Sequence, residues 1–344
     1  MYIKQPLWVH NFRQNWKKKP LYGTLFALLV MIILQTLALG FKYPSFDAWF
    51  SAWTVNWINI LRNNASIGIV SLGMTFVILS GGIDLAAGST LVAVGAFLMA
   101  LIDSGANGWL MSLGISGVPA YLIAIVLAIG LGAILGAGTG VIITKGKLPP
   151  FIATLGTMKI LRSVTQHLTQ GANPRVPSGF LAIANQRIAG QMILPILYWA
   201  VIAIVLNQIT RKTSWGIHVY AVGSNERMAR LSGIRTQRVK IGVYTLMSAI
   251  VAVAAIIQVS RIGSMDYANA GSGYEMDAIA SVIVGGTSMT GGRGTIPGTV
   301  VGTLIIAVMN NLLNLMGVPP FLREAFKGFI VIMAVLLQNR ESSS

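Results

Sequence analysis

Charge is missing from long stretches of this chain, and that limits its possible folds more than any other feature. Residues 21–41, 63–83, 85–102, 104–144, 188–210, 241–260 and 296–316 contain no Asp, Glu, Lys or Arg. A helix needs about 20 apolar residues to cross the hydrocarbon core of a bilayer. Lipid offers an open backbone no hydrogen-bond partner, so such runs must satisfy their own amides as helices. Over all 344 residues, 10% are charged and 54% hydrophobic, against roughly 25% charged in soluble domains. The chain is expected to be an all-α integral membrane protein that crosses the lipid bilayer many times.

The remaining segments place the turns. Lys4, Arg13, Lys17, Lys18 and Lys19 make residues 1–20 a basic N-terminus, followed by an uncleaved first helix over 21–41. A cleaved signal peptide would have a shorter apolar core and a small-residue cleavage site. Trp49, Phe50 and Trp53, with Trp57 just beyond, give residues 43–56 the look of an interfacial aromatic belt. The run 104–144 is too long for one span and divides into a Gly-rich loop and a helix from about 119 to 144. Residues 151–168 form a further candidate that contains Lys159 and Arg162. Residues 278–283 begin a short apolar piece, and 326–337 end the series. This gives about ten crossings over one transmembrane unit, 21–338, or eight to nine if the short stretches near Lys159 and Asp277 do not cross. With both termini inside, the N-terminus, Lys145, Lys147, the 211–240 loop, Arg293 and Arg340 share the cytoplasmic side, with a short tail at 339–344. Arg175, Arg187, Arg261 and Arg323 fall outside. Most of the basic residues therefore obey the positive-inside rule.

That rule also accounts for a net charge of +16 without nucleic acid as a partner. The chain has no cysteine, which excludes disulfides, thiol nucleophiles and Cys-ligated metals. Its three histidines, His10, His167 and His218, are scattered, so no metal site is expected. There is no GxxxxGK[ST] loop for nucleotide, and no HExxH, GxSxG or kinase-type motif. No catalytic residue is assigned, and the chain is not expected to be an enzyme or to bind a cofactor.

Two features interrupt this plain pattern. The loop 211–240 contains Ser224 or Asn225 as a helix cap, then Glu226, Arg227, Met228, Ala229, Arg230 and Leu231, and Gly233 as a stop. It reads either as a solvated positive-inside loop or as a short amphipathic helix that docks a soluble cytoplasmic partner. The second feature is a pair of glycine motifs. Gly81, Gly82, Asp84 and Gly88 separate two apolar runs, and Gly285, Gly286, Gly291 and Gly292 do so again far along the chain. In each, a Gly pair is followed six positions later by another Gly, after a similar apolar strip. This hints at two related halves with broken helices, as transporters show. Asp84 reads either as a polar pathway residue or, more simply, as the cap of the helix that follows, satisfied by the first amides of 85–89. The Gly-rich runs 130–140 and 298–302 read as close helix-packing surfaces.

Four strings together resemble the membrane permease subunits of ribose/galactose-type ABC sugar importers. They are GMTFVILSGGIDLAAGS (73–89), KLPPFIATLGT (147–157), YAVGSNERMARLSGIRTQRVK (220–240) and GYEMDAIASVIVGGTSMTGGRGTIPGT (273–299), in the family's order. Ala86 and Ala87 stand where many members carry Ser-Val. The resemblance implies a type II importer fold of about ten helices, working as a homo- or heterodimer of permease chains in the bacterial cytoplasmic membrane. It implies cytoplasmic ABC ATPase partners that use the ATP, and an extracytoplasmic sugar-binding protein. By the same resemblance, Ser224–Gly233 is the coupling helix, and the cargo is a pentose or hexose. A polyol or a sugar-derived signalling molecule on the same machine, and an ATP-independent carrier, are the rival expectations.

Overall fold

The computed structural model describes residues 20–105, 108–172 and 174–342. Residues 1–19, with the basic N-terminal run, lie outside them, as do the last two residues of the C-terminal tail. The described residues form fourteen helices: α1 (Pro20–Leu39), α2 (Phe46–Leu79), α3 (Ala87–Ile102), α4 (Trp109–Ser112), α5 (Gly117–Lys145), α6 (Pro150–Thr169), α7 (Ser178–Asn185), α8 (Leu194–Lys212), α9 (Ser214–Ser224), α10 (Glu226–Leu231), α11 (Thr236–Ile262), α12 (Tyr274–Val284), α13 (Ile296–Leu315) and α14 (Pro320–Ser342). Their only β feature is an isolated bridge between Ile188 and Gln191. Four helices, α5, α8, α11 and α13, are long and apolar enough to cross a membrane, and Gly23–Leu39 and Ala87–Ile102 are shorter apolar helices.

Local chemistry sets most of the boundaries. Pro150 opens α6 at a position where its missing N–H costs nothing, and Lys159 and Arg162 do not interrupt that helix. The expected helix at 119–144 is α5, extended by two residues at its start and one at its end. The segment of the expected belt, 43–56, is helical from Phe46 onward. Ser45 caps a helix there, accepting from the Ala48 N–H at 3.2 Å, with Asp47 in the first turn. No Gly or Pro intervenes before Gly68, so the belt and the run 63–83 join in one 34-residue helix, α2. Its rings stack along one side: Phe46 on Phe50, and Phe50 on Trp53 with centroids 6.1 Å apart.

The second half of α2, nearly all of α3 and most of α11 are buried and form the centre of the bundle. Around them, α1, α5 and α8 turn large apolar side chains outward, among them Phe26, Ile33, Val126, Ile134, Val201 and Ile204. Such a surface suits lipid and not water. The glycines expected to pack helices do so on one stripe. A Cβ at Gly132 would lie 2.7 Å from Ser248 O, and one at Gly140 2.8 Å from Ile241 Cα, with Gly136 closer still to Tyr244 O. Gly130 and Gly138, on the other face, meet nothing within 4 Å. The every-fourth-residue spacing thus brings α5 and α11 into backbone contact, as small residues do in membrane bundles.

Between α12 and α14 an ion pair crosses the bundle. Lys327 Nζ lies 3.0 Å from Asp277 Oδ1, with side-chain exposures of only 15% and 10%. Each charge is tolerable there because the other is present.

Candidate functional site

The two glycine motifs, about 200 residues apart in sequence, meet at one end of the bundle. After α2, Gly81 turns the chain with φ +78°, a conformation that a side chain would strain. Before α13, the loop 285–295 folds back on itself through the Ser288 N–H to Arg293 O bond of 2.8 Å. The loops then touch: the Gly292 N–H donates to Leu79 O at 2.9 Å, and a Cβ at Gly291 would stand 3.0 Å from Gly81 N. Two deeper hydroxyls, Thr75 on α2 and Thr299 on α13, are bonded at 2.7 Å behind this contact.

A third backbone closes the joint. Gly223, near the end of α9, packs so tightly that a Cβ on it would overlap Leu79 O and stand 2.8 Å from Gly292 N. Gly291 is equally close to Gly223 O, at 2.9 Å for its own Cβ. Tyr220 Oη donates to Gly294 O at 2.9 Å, and Trp215 stacks on Phe76 with centroids 5.6 Å apart. α9 is thereby fixed to the end of α2 and to the second glycine loop together.

α10 projects from this anchorage. Asn225, not Ser224, is its cap: Asn225 Oδ1 accepts from the Met228 N–H at 3.0 Å. Gly233 (φ +83°) ends it as expected, and the Ile234 N–H returns to Ala229 O at 3.0 Å. Ala229 faces inward, whereas Met228 and Leu231 are 57% and 74% exposed. Arg230 is exposed beside them. Glu226 holds α10 to α11 through Lys240 Nζ at 2.6 Å, with Arg230 at 3.6 Å. Partial burial opposes the charge of the Glu226 carboxyl, but the hydrogen bond and charge of Lys240, with help from Thr236 and Arg230, hold it below its ordinary value. Next to α10 lies a groove of about 410 Å³, lined by Trp215, His218, Gly233, Arg235 and Arg238 among others.

The remaining singled-out residues lie apart from the joint. Asp84 is 2% exposed. The expected cap at Asp84 is a correction: Ala86 occupies the N-cap position of α3 and makes no side-chain cap bond. Asp84 Oδ1 accepts from the Ala86 N–H at 2.8 Å, a local turn two residues long that ends before the helix begins. Gly82 faces the Tyr244 hydroxyl, and Gly88 packs on Gly271 O. Gly285 packs on Gly298 where α12 crosses α13, and Gly286 ends α12, its N–H donating to Ile283 O at 2.8 Å. Sequence reasoning passed over Gly223, whose only signal is a glycine placed inside a helix without a turn. It also passed over the pairing of Asp277 with Lys327.

A family described as branched-chain amino acid transport system / permease component matches residues 56–335. The ribose import permease of Bacillus subtilis (strain 168) is 38% identical over 325 residues, which is 93% of this chain and 93% of that protein. The chain belongs to the ABC-importer permease family. The ribose import permease of Escherichia coli K12 is also 38% identical, over 92% of this permease and 93% of its own length. The galactofuranose transporter permease of the same strain is 32% identical over 283 residues, 82% and 79% of the two chains. No solved structure matches. Membership in a transport family makes the chain a permease and not an enzyme.

Proposed function

We propose that this permease is the membrane-spanning subunit of an importer that carries a monosaccharide, driven by ATP hydrolysis on a separate cytoplasmic subunit. The observation that carries the reading is the identity to ribose permeases along nearly the whole chain. The joint gives it a mechanism. α10 presents Met228 and Leu231 to the ATPase, with Arg227 and Arg230 as its basic edge, and α9 relays movement to the backbones of Leu79 and Gly292 together. Since Leu79 ends α2 and Gly292 lies in the loop that leads into α13, one displacement reaches both halves of the permease. Packed elements of this kind switch between discrete arrangements, which here are the inward- and outward-open states.

In this reading the joint end faces the cytoplasm, with both chain termini, and the protein lies in the bacterial cytoplasmic membrane. The bundle is a type II importer fold with ten membrane segments over residues 21–338, α12 being a half-length one. Two permease chains pair, and an extracytoplasmic sugar-binding protein delivers the cargo. The permease binds no cofactor of its own. The description of the family model favours a second cargo, a branched-chain amino acid. Uptake of labelled ribose, galactose and leucine by cells expressing the complete importer, with and without the ATPase subunit, separates the readings. ATPase-dependent sugar uptake supports the proposal. Leucine uptake alone, or sugar uptake that persists without the ATPase, refutes it.

A further inference from the structure

At the end of the bundle away from the glycine joint, α2 and α13 face one another across a seam of asparagines. Asn59, Asn63 and Asn64 from α2, and Asn310, Asn311 and Asn314 from α13, line a cleft of about 200 Å³ that Arg323 of α14 borders. The spacing is helical: Asn59 and Asn63 on one helix, and Asn310 and Asn314 on the other, are four residues apart and share a face. Amides that only held the helices together would close on each other across the seam. Among the described residues one such bond is made, Asn311 Nδ2 to Asn56 Oδ1 at 3.2 Å. Asn64 Nδ2 turns back to Ile60 O at 2.8 Å, and Asn63 Oδ1 accepts from Arg261 at 2.8 Å. Asn310 Oδ1 and Asn56 Nδ2 are buried without a protein partner.

Asn310, with its unpartnered amide oxygen, lines this space, and Asn56 stands one helical turn before Asn59 and Ile60 on α2. The cleft far exceeds the roughly 10–15 Å³ that one water requires, and its walls offer both donors and acceptors. An amide presents an acceptor oxygen beside two donor hydrogens, which suits hydroxyl groups that themselves donate and accept. Arg323 adds donors, and its Nε is already engaged by Val318 O at 2.9 Å. No carboxylate lines the cleft, so nothing there favours a cation. We propose that the asparagine cleft is a contact site for a neutral polyhydroxylated solute on its way through the permease, an inference that rests on the transport reading above.

The absence of cysteine from the chain makes the test clean. Asn59→Cys and Asn310→Cys are introduced singly into the full importer, with Val201→Cys on the outward apolar face of α8 as the lipid-facing reference. A membrane-impermeant methanethiosulfonate is the probe, and ribose at millimolar concentration is the competitor. The expected result is labelling of both cleft thiols roughly tenfold faster than the lipid-facing one, where no water reaches, and slower labelling when ribose is present. In parallel, Asn59→Leu and Asn310→Leu should lower the initial rate of sugar uptake roughly tenfold each, the equivalent of one lost hydrogen bond, at normal membrane levels. Cleft thiols that stay unlabelled mean a dry seam and overturn the inference. So does labelling that ribose leaves unchanged while wild-type uptake is intact. Failure of the wild-type importer to accumulate any sugar is the separate signature of a wrong transport reading.

Discussion

Replacing Gly223 with alanine asks one methyl group to fit where three backbones already touch. Its Cβ would stand 2.8 Å from Gly292 N and closer still to Leu79 O, whereas ordinary contact begins at 3.4 Å. Neither neighbour is the free tip of a side chain, so the end of α2 or the second glycine loop must shift by more than half an ångström. The 2.9 Å bond between the Gly292 N–H and Leu79 O bridges the same gap and is stretched or lost in the move. Overpacking a tight site costs roughly 1–3 kcal/mol, and a buried amide left unpaired roughly 1–3 kcal/mol more, so the substitution costs about 2–6 kcal/mol. Borne by the one conformation that closes the joint, this lowers the population of that state about tenfold for every ~1.4 kcal/mol. Ribose uptake should therefore fall at least tenfold while the partner ATPase still hydrolyses ATP, a separation of fuel from work. The assay pairs initial uptake rates in cells, at matched membrane levels, with ATP hydrolysis in proteoliposomes. Gly138→Ala is the control: nothing lies within 4 Å of that position, and alanine there gains about 0.5–1 kcal/mol of helix stability. Wild-type uptake by Gly223→Ala would refute the reasoning, since the three backbones could not then be pressed together in the working protein.

Met228→Asp or Leu231→Asp should cost roughly 2 kcal/mol, about thirtyfold in ATPase affinity, with normal membrane insertion; co-purification of the ATPase at wild-type yield would count against α10 as the docking element. The Glu226–Lys240 pair should be complete at neutral pH. Because the Glu226 carboxyl is held below its ordinary value of 4.5, its contribution is full above that value and is lost as pH falls through the lower native one. Hydrogen exchange across 226–240 should accelerate over that acidic window, and Glu226→Gln should remove the pH dependence. Lys327→Met leaves Asp277 buried without its partner and should destabilise the permease by roughly 3–5 kcal/mol. Adding Asp277→Leu should recover much of that loss in thermal unfolding in detergent, and a double variant no better than the single one would contradict a paired role.

The helices that sequence located well are those whose ends are written in local chemistry. Lys145 and the prolines at 149 and 150 bracket the α5–α6 turn, and Asn225 and Gly233 bracket α10, so those boundaries could be read from a few neighbouring residues. The continuity of α2 was not legible because its first half is rich in Trp and Asn, a composition that suits a membrane interface. What makes it one helix is the absence of any breaker before Gly68, a weaker signal than an unusual composition. The two glycine loops were legible as a matched pair, yet their contact with Gly223 was not. Close approach between backbones leaves no pattern in sequence beyond the missing side chain. Asp277 and Lys327 show the same limit: each has other charges close by in sequence, Glu275 beside the first and Arg323 and Glu324 beside the second, and only packing shows that these two, fifty positions apart, pair. Asn63, Asn64, Asn310, Asn311 and Asn314 were hidden inside runs identified by their lack of charge, where neutral amides do not register.

In the proposed reading α2 is longer than the hydrocarbon core it crosses. Its 34 residues measure about 50 Å at ~1.5 Å per residue, against roughly 30 Å of hydrocarbon. A tilt of the usual ~20° removes only a few ångströms of that excess. In that reading the surplus falls at the Phe46 end, which carries Phe46, Phe50, Trp53 and Trp57. The other end of the same rod carries Leu79, pinned by Gly292 and Gly223. Under the proposed function, bilayer thickness and the joint would be mechanically linked: a thicker or thinner membrane would pull on the aromatic end of a strut whose base is the joint itself. The surrounding lipid would then become a setting of the machine, biasing its two states without touching either cargo or nucleotide.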